Sequence, residues 1–130
     1  EPEWRERRGA ILELALDLSE TGWAPAVRRL GDLGGDWPEV LDVLRSWYRD
    51  LLWLVQGGET DKVANADRLE ELRRALARET SLGLQRKCAR LLEASSLLRR
   101  NVNPLLLMET LFMTLASPAG GPAPAPAGRK

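Results

Sequence analysis

The chain has 130 residues, of which 44% are apolar and 29% charged, which suits one globular domain and is too short for two ordinary ones. Lysine plus arginine number 19 and aspartate plus glutamate 19; this zero balance argues against a dedicated nucleic-acid binder, whose affinity rests on an excess of cations. Histidine is absent and Cys88 is the lone cysteine, which excludes intrachain disulfides, His/Cys zinc sites and Ser-His-Asp or Cys-His nucleophiles.

The pattern is helical throughout, with leucine, alanine, arginine and glutamate dominant and no strand-like alternation of useful length. The fold class expected is all-α, a compact bundle of about five to six helices followed by a tail. The first helix is predicted from Pro2 or Glu3 to Ser19, with Trp4, Ile11, Ala15 and Leu18 on one stripe and Gly22 as its stop. A short helix follows from Trp23 to Asp32, with Pro25 in its first turn, where a missing N–H costs nothing. Gly34-Gly35 is then a break.

Asp36 is the expected N-cap of a helix from Trp37 to Gln56, with Glu39 completing a capping-box spacing. This helix carries two apolar stripes, Val40, Leu44, Trp47, Leu51, Leu54 and Leu41, Tyr48, Leu52, Val55. Such a wide arc fits either the central helix of a bundle or a helix with one stripe turned to another protein. Gly57-Gly58 ends it, and Asn65 is the expected cap of a helix reaching Arg78 or Glu79. Thr80 or Ser81 opens the next, to about Arg100, with Leu84, Cys88, Leu91, Ser95 and Leu98 as its inner stripe. Asn103 caps the last, Pro104 to Ala116. The prolines from Pro118 onward predict a disordered Pro/Ala/Gly tail over 117–130, after a domain of 1–116.

Signals of chemistry are sparse. No P-loop exists, and lysine occurs only at positions 62, 87 and 130. Gly31, Gly34 and Gly35 follow no strand and so make no dinucleotide fingerprint. Glu70 and Glu71 are neighbours on a charged face with Arg73, Arg74 and Arg78 rather than a catalytic pair. Cys88 reads as a small buried hydrophobe, although Arg86, Lys87 and Arg90 would lower its pKa if it were exposed. No enzyme activity, cofactor or small-molecule substrate is expected of this segment. No apolar run approaches the ~20 residues that span a bilayer; a soluble intracellular segment, cut from a longer protein, is expected.

Two features leave room for partners. Three basic doublets, Arg28-Arg29, Arg73-Arg74 and Arg99-Arg100, would serve DNA if they shared a surface and are otherwise solvated helix faces. Five tryptophans are expected at helix packings (Trp4, Trp47, Trp53) and helix starts (Trp23, Trp37), with one or two available for an interface. Arg45 and Arg49, four apart, share a helix face, and Asp50 points away from both. They fit exposed solubilising charges or bidentate pairs across an interface between protein chains.

The run Leu44-Arg45-Ser46-Trp47-Tyr48-Arg49-Asp50-Leu51-Leu52 resembles the central collar helix of bacterial clamp-loader subunits. Asn65-Ala66-Asp67 after a Gly-Gly loop, and Arg100-Asn101-Val102-Asn103-Pro104-Leu105-Leu106-Leu107-Met108-Glu109, resemble the same family's cap and closing helix. Together, over roughly positions 3–116, they resemble the C-terminal collar domain of the DNA polymerase III delta-prime subunit, with the gamma/tau collar domain as near neighbour. The resemblance implies a bacterial cytoplasmic assembly domain with the delta and gamma/tau subunits as partners. Its parent would belong to the DNA polymerase III holoenzyme, which loads a sliding clamp on primed DNA, so that DNA is contacted only indirectly. It also implies that one stripe of the central helix closes the domain's own core while the other packs on neighbours, with Arg45, Tyr48, Arg49, Asp50 and Leu52 as interface residues. The ATPase module, zinc cysteines and Ser-Arg-Cys motif of such subunits are not in this segment.

Overall fold

Three of the helices start where a side chain accepts from the amides of the first turn. The computed structural model describes residues 2–33, 36–100 and 102–120 and contains six α-helices, with no strand among those residues. They are α1 (Pro2–Thr21), α2 (Trp23–Arg28), α3 (Trp37–Val55), α4 (Leu69–Leu76), α5 (Ser81–Leu98) and α6 (Pro104–Ala116). The Asp36 carboxylate accepts from the Glu39 amide at 3.2 Å, and Asn103 Oδ1 accepts from the amides of Leu105 and Leu106 at 3.0 and 3.2 Å. Thr80 Oγ1 takes the Gly83 amide at 3.0 Å.

Two predicted helices are shorter than the sequence suggests. α2 stops at Arg28, because Arg29 N–H bonds to Ala26 O and Asp32 N–H to Arg29 O, each at 3.0 Å, a three-residue spacing that tightens the chain into a 3-10 turn at Leu30–Leu33. The helix expected from Asn65 begins instead as a 3-10 turn at Ala66–Arg68, with α4 following it.

α3 is the centre of the bundle, packed against α1, α4 and most extensively α5, while α6 lies across α5, α2 and α1. Both stripes of α3 serve this core. Val40, Leu44, Trp47 and Leu51 of the first are buried, and so are Leu41 and Tyr48 of the second; only Leu52, Leu54 and Val55 are half-buried. The picture of one stripe inside and the other on a neighbour is therefore corrected: an arc this wide is what a helix needs when three others surround it. Each buried leucine contributes roughly 1.5–3 kcal/mol, whereas an exposed ion pair contributes about 0–1 kcal/mol, so the apolar core holds the domain.

α5 is rotated from the expected stripe: Gly83, Leu84, Lys87, Leu91 and Ala94 are buried, and Cys88 sits at the margin. Gly83 has a packing reason to lack a side chain, since a Cβ there would stand 2.1 Å from the Pro118 carbonyl oxygen. The chain after α6 turns back onto the start of α5, with Gly120 N–H on Ser117 O at 3.0 Å and Arg86 Nη1 donating to Ala119 O at 3.2 Å. Ser117 to Gly120 thus pack on the helical body rather than beginning a free tail. The rest of the expected tail, the Gly34-Gly35 break and Asn101 lie outside the described residues.

Of the tryptophans, Trp47 is buried and Trp37 half-buried, but Trp4 and Trp53, expected between helices, are exposed, as is Trp23. Trp53 instead spans the turn after α3, its Nε1 donating to Glu59 O at 2.9 Å, where Gly57 takes φ +89°, a left-handed backbone that suits glycine.

Candidate docking surface

Position on α3 separates the five residues expected at an interface. Arg45, Arg49 and Leu52 follow one another at i, i+4 and i+7, so they line one edge of the helix. That edge faces Cys88, Leu91 and Leu92 of α5, and the two enclose an open groove of 190 Å³. Arg45 and Arg49 are exposed, and neither makes a hydrogen bond or ion pair with any described residue. Leu92 stands 59% exposed, while Leu52 and Cys88 are half-buried. Burial pushes the Cys88 thiol above its ordinary value, and the Arg49 and Arg45 guanidiniums pull it part of the way back. The groove is thus an apolar floor with a positive rim.

Tyr48 and Asp50 do not belong to that surface. Tyr48 is 1% exposed and turned into the core, where burial raises its phenol far above the usual range. Its hydroxyl is a buried polar atom without a hydrogen-bond partner. Beneath it Lys87 Nζ lies 5.6 Å from the ring centroid and pairs with Glu79 at 2.7 and 2.9 Å. The side chains of Lys87 and Glu79 are only 2% and 1% exposed, so desolvation lowers the Lys87 pKa and raises that of Glu79, and their contact offsets part of each shift.

Asp50 is 3% exposed and clamps the loop after α3. Its carboxylate accepts from the amides of Ala64 and Asn65 and from Asn65 Nδ2, each at 2.8 Å. Asn65 is likewise buried and does not cap α4 with its side chain. Its Nδ2 also reaches Ser46 Oγ at 3.2 Å, and its Oδ1 accepts from Arg8 Nη2 at 2.7 Å. Arg8 holds Asp67 in a two-pronged pair at 2.9 Å on each arm, which lowers the Asp67 pKa and raises that of Arg8. Position 65 therefore ties α1, α3 and the loop together, because both ends of its amide are consumed by those partners.

The basic doublets are partly engaged within the chain. Arg29 pairs with Asp17, Arg73 with Glu70 at 3.1 Å and Arg74 with Glu20 at 2.8 Å. A second groove of 260 Å³ runs between α5 and α6, with Leu97, Leu107 and Leu111 among its walls, and Leu105, Leu106 and Met113 stand exposed on α6. Sequence pattern does not single out Leu92 or these α6 side chains; the available signal is a run of leucines longer than one buried stripe can absorb. Among the described residues no group of three His, Cys, Asp or Glu side chains is placed to hold a metal ion, and no helix is long and apolar enough to cross a membrane.

Two uncovered guanidiniums beside an exposed leucine make a surface whose desolvation only a face of complementary charge and apolar shape would offset. Compared with known proteins, residues 1–116 match the family model described as DNA polymerase III, delta subunit, C terminal. No curated protein and no solved structure matches the chain significantly.

Proposed function

The chain belongs to the family formed by the C-terminal domains of DNA polymerase III delta subunits, and from that premise we propose that it is the assembly domain of the delta-prime subunit of the clamp loader. Membership makes it the C-terminal domain of a clamp-loader subunit, with other subunits of that complex as partners. The single observation that carries the clamp-loader part of the reading is the match over residues 1–116, which takes in all six helices. The delta-prime assignment is supported by the runs Leu44–Leu52, Asn65–Asp67 and Arg100–Glu109, whose order and spacing resemble that subunit's collar domain.

In this role the domain packs against the delta and gamma/tau subunits and performs no catalysis of its own. It takes no nucleotide, metal or other cofactor, and DNA is met through the assembled complex. It works in the bacterial cytoplasm. Arg45, Arg49, Leu52 and Leu92 are the contact residues we assign, since they form the charged and apolar surface that the domain itself leaves uncovered.

The test is size-exclusion chromatography with light scattering on the full-length protein, alone and mixed with delta and gamma/tau of the same source. Co-elution in one larger complex, lost when residues 1–116 are deleted, is the expected result. Separate elution of the intact protein, or a complex that survives the deletion, would overturn the reading.

A further inference from the structure

The groove between α3 and α5 also says what should fill it. We infer that its occupant is an amphipathic helix of another subunit of the same complex, with two carboxylates one turn apart beside an aliphatic ridge. This rests on the assembly reading and adds the chemistry of the partner.

Charge carries the first half of the argument. Arg45 and Arg49 are the groove's two cations, and no described carboxylate answers either of them. The nearby acids are otherwise placed. Asp42, three residues before Arg45, lines a different groove with Arg8 and Glu39 and makes no pair with Arg45. Asp50 is committed to the amides of Ala64 and Asn65, and Glu93 on α5 to Arg90 at 3.0 Å. Two guanidiniums four residues apart on one helix stand about 5–6 Å apart at their Cβ atoms. Carboxylates three or four residues apart on a second helix repeat that spacing, and arginine takes a carboxylate in a two-pronged geometry that lysine does not offer.

Shape carries the second half. A trough between two packed helices receives the side-chain ridge of a third, as ridges enter grooves in helix packing generally. The floor here is aliphatic and thiol, made by Leu52, Cys88 and Leu91, and Leu92 stands up beside it with 59% of its surface in water. A phosphate backbone would meet the two arginines but would leave that leucine and the floor unmatched, so an acidic and aliphatic helix fits better than nucleic acid.

The experiment uses the full-length protein with delta and gamma/tau. Arg45→Glu/Arg49→Glu should weaken assembly at least tenfold, and Arg45→Gln/Arg49→Gln should weaken it less. Arg99→Glu/Arg100→Glu, the same charge change at the exposed end of α5, should leave assembly unchanged. Circular-dichroism melting of each variant guards against misfolding. A photo-crosslinking phenylalanine analogue in place of Leu92 should capture a partner peptide with two Asp or Glu residues three or four apart. Assembly of Arg45→Glu/Arg49→Glu at wild-type strength would overturn the inference while leaving the assembly role standing. So would capture of a peptide without acids, of a second copy of this chain, or of primed DNA. Failure of the wild-type protein to assemble at all would remove both.

Discussion

Two buried polar clusters flank α3, and they are built on opposite principles. On one side Asp50 meets three donors at 2.8 Å, two of them backbone amides, and Asn65 extends the network to Ser46 and Arg8. On the other, Glu79 and Lys87 neutralise each other out of water while the Tyr48 hydroxyl beside them has no partner. The first cluster is satisfied by geometry, so it specifies a loop. The second is held by a single hydrogen-bonded ion pair and tolerates an orphan, so its net worth is small while the cost of damaging half of it is large.

The comparison breaks most sharply at the ion pair. Glu79→Ala leaves a buried ammonium and should cost about 3–5 kcal/mol of unfolding free energy, whereas Glu79→Leu/Lys87→Met should fall within about 1 kcal/mol of wild type or above it. Urea denaturation of both measures the contrast; equal losses in the two variants would show that the pair is a net source of stability. Asp50→Ala strands three donors and should cost about 3 kcal/mol, with faster hydrogen exchange at Ala64 and Asn65 as the local readout. Tyr48→Phe sharpens the comparison in the other direction. Removing an unsatisfied hydroxyl should raise stability by about 1 kcal/mol, and a lower melting temperature would mean that the hydroxyl has a partner.

The smallest effect is a pH dependence. The Asp67 pKa is depressed by its pair with Arg8, so its contribution is present above the unfolded value and is lost as pH falls through the folded one. Stability should therefore decline below about pH 4, and Asp67→Asn should flatten that decline slightly, as Asp67 is mostly exposed. Glu79 works the opposite way. Its raised pKa means that the folded state takes up a proton first, so acid does not destabilise the chain through that group.

How much of this is legible in the sequence follows the range of each interaction. Asp36 and Asn103 act on amides two or three residues ahead, and both caps can be read from spacing. Arg45 and Arg49 share a face by helical period alone. Asn65 has the look of a third cap, but its side chain is claimed by Arg8, 57 residues away, and by Asp50, 15 away. No local pattern carries that. Lysine belongs to the surface by default, so nothing local hints at the burial of Lys87, which depends on Glu79 from the preceding turn arriving at 2.7 Å. Cys88 is expected inside for the mirror reason, one helical position from where the rotation of α5 puts the core.

The path of the last helix sets the order in which the domain can form. α6 lies against α1 and α2 as well as α5, so the first helices of this domain are completed by its sixth. While a ribosome has yet to release α6, the faces of α1 and α2 that it covers remain in water, where unsatisfied apolar surface invites association with the wrong partner. Such a chain gains little from folding as it emerges: long-range closure between its ends must come before its core is sealed. Late closure also makes α6 the natural checkpoint, since a nascent domain without it leaves the apolar faces of α1, α2 and α5 that it covers in water.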